Sequence, residues 1–211
     1  MRKVLLLILA VVTLPSVAFA QFTADCPRCV LGLWDDQGLV SNSGTITPNL
    51  PKDIFLGIKF SQTYVGVTSV EFSVLGMEST SGLLVIGVDP LVPASVTLGT
   101  PPAPADTTNG TGGINIGWAN CVTAGGADEA LVKISILAFA AVPANKTLIV
   151  HHKFPPSNPT MPYPLFSDCN PPTYTLVSVH GGCYRLNPSG ADPCPVATEN
   201  STWSGVKGLF R

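Results

Sequence analysis

Six cysteines, Cys26, Cys29, Cys121, Cys169, Cys183 and Cys194, carry the best-constrained chemistry in this chain of 211 residues. An even count suits disulfides wherever the compartment is oxidising. Cys121 closes an apolar, strand-like run and Cys169 sits in a proline-rich stretch, so these two are expected to pair. On the chain-entropy model that bond is worth about 4 kcal/mol. Cys26–Cys29 and Cys183–Cys194 are the remaining, local pairs. Cys26-Pro27-Arg28-Cys29 also has the form of a redox or zinc motif. A thioredoxin-type motif opens a helix after a strand, however, and no helical period follows it. A zinc site needs a second ligand pair at finger-like spacing, and none is near.

The other reactive types are sparse. His151 and His152 are adjacent. In a strand they point to opposite faces, which suits edge histidines better than two ligands of one metal. His180-Gly181-Gly182 has the look of an oxyanion loop, but no Gly-x-Ser-x-Gly elbow accompanies it, so a turn is expected. A glycosidase needs two carboxylates facing each other across a sugar. The chain has four glutamates, Glu71, Glu78, Glu129 and Glu199, and nothing marks a pair among them. Asp35, Asp36 and Asp128 have the oxygens that Ca²⁺ requires, but without an Asp-x-Asp-x-Asp loop they read as solvated turn residues. No catalytic residue, metal or cofactor is assigned. Among Trp34, Tyr64, Trp118, Tyr163, Phe166, Tyr174 and Tyr184, flat rings suited to stacking on sugars, Trp118 reads as core. Tyr163 and Phe166, on a proline-rich loop, are the candidate ligand-binding rings. Asn109, Asn145 and Asn200 each open an Asn-x-Thr glycan acceptor pattern.

The elements that must position these residues are strands. Charged residues make up 11% of the chain, under half the usual share of about 25%. Twenty glycines and twenty prolines punctuate strands and turns and weaken helices. That balance excludes a helical bundle and a coiled coil. Ile54, Leu56, Ile58 and Phe60 alternate with polar or small residues; so do Val70, Phe72 and Val74, and Val132, Ile134 and Ile136. A period of two sets one row toward a core and the other toward water. Further β-rich runs cover residues 83–88, 114–121, 147–153 and 174–179. About nine short strands with turn signals between them read as an all-β, antiparallel β-sandwich. Residues 101–113 and 155–172, the latter with seven prolines, are expected to be long loops, since proline removes a ladder donor.

Both ends have their own character. Residues 1–20 combine Arg2 and Lys3, an apolar run over 4–14, and Ala18 and Ala20 in a cleavage pattern, which reads as a signal peptide. The run is too short to cross a bilayer comfortably. The expected product is secreted or held at the cell surface and does not span a membrane after signal removal. Without those residues nine Lys and Arg face thirteen Asp and Glu, a net charge of −4. No basic cluster offers the phosphate neutralisation that nucleic-acid binding requires. Residues 21–187 form the expected sandwich domain and 188–200 a linker. Residues 201–211 read as a short amphipathic helix, with Trp203, Val206 and Phe210 at helical spacing beside Lys207 and Arg211. That tail is a candidate partner-binding segment.

Gly66-Val67-Thr68-Ser69-Val70-Glu71-Phe72-Ser73-Val74 resembles the early strand of cohesin-type domains. Ile114-Asn115-Ile116-Gly117-Trp118-Ala119 and Leu131-Val132-Lys133-Ile134-Ser135-Ile136 resemble later strands of that group, in similar order and spacing. Gly32-Leu33-Trp34-Asp35, Asp168-Cys169 and Gly181-Gly182-Cys183 resemble the opening and closing patterns of exported bacterial proteins. The resemblance implies a jelly-roll sandwich shared with several carbohydrate-binding modules, and an extracellular scaffold or binding role. The six cysteines and the proline-rich stretches depart from cohesins. The expected function is therefore non-catalytic binding or scaffolding of an extracellular protein or glycan. Its alternatives are a carbohydrate-binding module using loop aromatics, and a hydrolase with an unrecognised site.

Overall fold

The computed structural model describes residues 24–60, 66–78, 81–100, 112–122, 128–161, 163–169 and 175–190. The expected signal segment, Cys194, the expected linker beyond 190 and the expected tail residues Trp203, Val206, Lys207, Phe210 and Arg211 lie outside them. The described residues form twelve strands: β1 (Ala24–Trp34), β2 (Ser43–Gly44), β3 (Pro51–Lys59), β4 (Val67–Leu75), β5 (Leu83–Pro90), β6 (Val96–Gly99), β7 (Ile114–Gly117), β8 (Glu129–Ala138), β9 (Lys146–His151), β10 (Leu165–Asp168), β11 (Leu176–Gly181) and β12 (Cys183–Leu186).

The alternating rows become the core. Ile54, Leu56 and Ile58 of β3, Val70, Phe72 and Val74 of β4, and Ile134 and Ile136 of β8 are fully buried. They belong to one cluster with Ile114 and Ile116 of β7 and Leu148 and Val150 of β9. The two halves of the sheet therefore close on one interior, as in a sandwich. Asp53, Lys59, Lys133 and Ser135 stay partly or wholly in water, while Glu71 and Ser73 on the other face of β4 are buried as well; the period-two pattern sets which row turns to the core.

Registers reduce twelve strands to fewer lines. β9 pairs with β4 through Ser73↔His151 to Leu75↔Ile149. β10 pairs with the same strand through Leu165↔Glu71 to Ser167↔Ser69. On the other side β10 lies along β11 and β9 along β12. β9 and β10 are thus one strand line, interrupted opposite Phe72 by an excursion that leaves the sheet at His152. β11 and β12 are likewise one line, passing Gly182 between them. The sheet then reads β6, β7, β4, β9/β10, β11/β12, β1, β3, β8, β5, with β2 beside β12.

Three differences from the sequence reading have local causes. The proline-rich stretch 155–172 is not all loop, because it contains β10. Its prolines flank that strand, and the proline-free Leu165–Asp168 is left to pair on both sides. The ladders are antiparallel except for β1–β11 and β2–β12, which are parallel. His180-Gly181-Gly182 is not a turn but an extended crossing between two halves of a strand. A Cβ on Gly181 would lie 1.8 Å from the Val150 carbonyl oxygen. Only glycine lets β9 and this line approach so closely.

Candidate functional site

The line order leaves β5 and β6 at the two ends of the sheet, each hydrogen-bonded to one neighbour among the described residues. Residues 91–95 carry the chain from one free edge directly to the other. The Leu91 N–H donates to the Leu131 carbonyl of β8 (3.0 Å) and the Ser95 N–H to the Gly117 carbonyl of β7 (2.8 Å). The Trp118 indole N–H pins this crossing by donating to the Val92 carbonyl at 2.9 Å. The edges are apolar on their outer side. Leu84, Ile86, Leu91, Val92, Val96 and Leu98 are all exposed, Leu98 by 59%. Leu84 sits opposite Leu137 on the outer face of β8, while Ile86 falls at a bulge between Val85 and Gly87. The charge here includes an ion pair, Lys133 to Asp89 at 3.1 Å, with the Asp53 carboxylate also acting on the lysine. It holds the exposed lysine above its ordinary pKa.

The expected site residues are scattered. Tyr163 is half exposed, its ring edge-on to that of His180 at 6.4 Å. Phe166, expected beside it as a second exposed ring, is fully buried. It lies in β10 between Val70 and Val177 and packs edge-on against Phe60 at 5.7 Å. It has no face to offer a ligand, and two loop rings do not make a platform. Cys26–Cys29 and Cys121–Cys169 are disulfides. The first closes a bulge in β1, where Cys26 faces Val179 and Val30 already faces His180. Both of its cysteines are buried, which leaves no access for exchange. Cys183 is also disulfide-bonded, and Cys194, its expected partner, lies outside the described residues.

His151 and His152 do not point apart. β9 ends at His151, the chain turns out of the pleat, and the two rings meet at 4.1 Å. Phe154 stacks on His151 at 5.2 Å and contacts His152 at 4.3 Å. The aspartates have structural partners. Asp36 accepts the Val40 and Ser41 N–H groups, and the Ser41 bond lowers its pKa most. Asp128 accepts the Phe60 N–H at 3.0 Å. No group of three metal-ligating side chains exists among the described residues.

Two arrangements were not read from sequence. Buried Tyr184 donates to Asp35 at 2.5 Å, and the same carboxylate oxygen meets Lys52 at 2.5 Å. Burial, then the Asp35 contact, raises the Tyr184 phenol well above its ordinary range. The partners are remote in sequence, and no local pattern links them. On the outer face of β1 and β3, Trp34 folds over Gly32 with Lys59 above its ring at 5.7 Å. Gly182, Val40 and Asn42 complete a shallow recess of about 240 Å³.

An all-β sandwich with two open, apolar edges is the class of domain these registers define. Solved structures similar to the chain are cohesin modules, the group its strand motifs resemble. One is from a Clostridium perfringens family 33 glycoside hydrolase, with a TM-score of 0.42, 10% identity, and coverage of 76% of this chain and 98% of that one. Another is the sixth cohesin of Acetivibrio cellulolyticus scaffoldin B, in complex with Cel5 dockerin, at 0.44 and 12%, covering 76% and 99%. A third is the third ScaB cohesin of R. flavefaciens, in complex with a group 1 dockerin, at 0.40 and 10%, covering 78% and 97%. At these scores the likeness carries no argument about what this chain binds. No family model and no curated protein matches the chain. No helix among the described residues is long and apolar enough to cross a membrane.

Proposed function

We infer that the chain is an exported, non-catalytic binding or scaffold module whose partner is a protein, engaged along the side where β5 and β6 lie open. The observation that carries this reading is the set of exposed Leu84, Ile86, Leu91, Val92, Val96 and Leu98 on β5, β6 and the crossing between them, each strand having one neighbour among the described residues. Soluble sheets usually blunt their edges with charge, proline or cover. Here the bulge at Ile86 and the terminal Pro90 of β5 interrupt pairing, yet the side chains stay apolar. Contiguous exposed apolar surface marks an interaction site more often than a free face. The disulfides agree with export, and the cohesin-type strand motifs agree with a scaffold role.

The test uses the purified chain, without residues 1–20, as bait for secreted proteins of its own host. Capture of a defined partner by the wild type and by Val40→Lys, which sits apart at 86% exposure, is the expected result. Leu84→Lys with Leu98→Lys should remove that capture without changing the circular-dichroism spectrum. Equal capture by the double variant overturns the surface assignment. Sustained turnover in esterase, glycosidase or peptidase screens overturns the non-catalytic reading.

A further inference from the structure

The excursion that splits the β9/β10 line is held over the outer face of β4 by two clamps. At one, buried Glu71 accepts the Ser157 N–H at 2.9 Å and the Asn115 side-chain amide at 3.4 Å. At the other, the rings of His151, His152 and Phe154 form a cluster in which Phe154 stacks on His151 and His152 lies tilted against both. Phe154 is also fixed to Gly112 by a reciprocal backbone pair of 3.0 and 2.7 Å. Met161, at the end of the strap, is buried. The His151 Nδ1 atom is buried with no hydrogen-bond partner. A neutral imidazole tolerates that as an unused lone pair. Protonation would place a buried N–H there with no acceptor, and a positive charge against the neighbouring ring.

We propose that residues 152–161 are an acid-released strap, opened when the His151 imidazole, packed against His152 and Phe154, takes up a proton, so that the outer face of β4 around Glu71 and Ser73 becomes accessible. The ionisable groups around the pair set the sign. Lys153, next in the chain, adds positive charge and opposes protonation of the closed form. Glu71, two residues from the Ser73 that pairs with His151 and on the same face of β4, favours it, but its oxygens are already taken by Ser157 and Asn115. His180 of β11 lies at the far end of the strap beside Tyr163. Burial first, then the charge of His152, lowers the His151 pKa from its ordinary 6.5, against a smaller opposing effect of the His152 backbone. The closed strap therefore binds fewer protons than the open one. Its stability is complete above the ordinary histidine pKa and is lost as pH falls below it.

Backbone hydrogen exchange on the intact disulfide-bonded chain tests this, read as protection factors so that the intrinsic pH dependence of exchange cancels. The Ser157 amide should lose protection several-fold between pH 7.5 and pH 5, while the β3 and β8 amides of Ile54 and Ile134 keep theirs. His151→Phe preserves the stack and should make Ser157 protection independent of pH over that range. His152→Gln, which removes the like charge, should reduce the loss, and it serves if His151→Phe does not fold. Unchanged wild-type protection at pH 5 overturns the proposal. So does an undiminished loss in both variants, which would place the switch on Glu71, or an equal loss at Ile54 and Ile134, which would mean global unfolding.

Discussion

Among the described glycines, replacing Gly181 by alanine makes the closest clash. The new Cβ would lie 1.8 Å from the Val150 carbonyl oxygen and 2.9 Å from its carbon. Both are backbone atoms of β9, so no rotamer relieves the contact. β9 and the β11/β12 line must separate by more than an ångström. The Val150 N–H to Gly182 carbonyl bond (2.9 Å) is broken by that movement. The Gly182 N–H to Leu31 carbonyl bond (2.8 Å), which ties the crossing to β1, is broken or bent. Each buried backbone group left unpaired costs about 1–3 kcal/mol, so the two bonds together are worth about 4 kcal/mol. For a domain whose urea slope is about 2 kcal/mol per molar, the unfolding midpoint should fall by about 2 M. Gly87→Ala is the control. Its Cβ would meet Ser135 at 3.6 Å, ordinary contact on an edge strand. It should leave the midpoint unchanged or raise it slightly, since alanine restricts the unfolded chain. A Gly181→Ala protein unfolding within about 0.3 M of wild type would refute the claim that these glycines exist to let the strand line cross.

Phe166→Ala should destabilise by about 3–5 kcal/mol, as expected for a fully buried aromatic, whereas Tyr163→Ala should stay within about 0.5 kcal/mol; paired urea melts measure both. Replacing Cys121 and Cys169 together by serine opens a closure of 48 residues and should cost about 4 kcal/mol, read as a lowered midpoint that reductant lowers no further through this bond. Tyr184→Phe removes a buried hydroxyl from Asp35 but leaves Lys52 on that carboxylate, and should cost about 1–2 kcal/mol. Because the folded phenol is held above its ordinary pKa of 10.0, the wild type should be fully stable below that value and lose stability as pH rises past it. Tyr184→Phe should remove that alkaline decline in thermal melts.

The core was legible because burial imposes a period that side-chain type records. Ile54, Leu56, Ile58, Val70, Phe72, Val74, Ile134 and Ile136 alternate in the sequence and are buried in the structure. The Cys121–Cys169 bond was legible for a different reason: an even count and two positions with distinct surroundings narrow the pairing. What failed is equally specific. Proline density reads as loop over all of 155–172, yet proline forbids pairing only at its own nitrogen. The proline-free Leu165–Asp168 could enter the sheet, and Phe166 went with it into the core. Adjacent histidines were placed on opposite faces, which holds only inside a strand. His151 is the last residue of β9, and the pleat that would separate it from His152 stops there.

The edges could not be read in advance, because a free edge is a property of the whole order of strands. Leu84 and Leu98 look like any other apolar strand residues. They differ from Ile54 only in that no strand or layer among the described residues covers them, and that follows from registers fixed far away. Splitting the β9/β10 line and running β11 into β12 through Gly182 sets which strands come last. Residues 91–95 then place those two last strands on one side of the sandwich. The docking surface proposed here needs no distinctive motif and no reactive side chain. It needs only that the hydrophobic pattern continue past the point where the sheet ends, and β5 and β6 satisfy that condition.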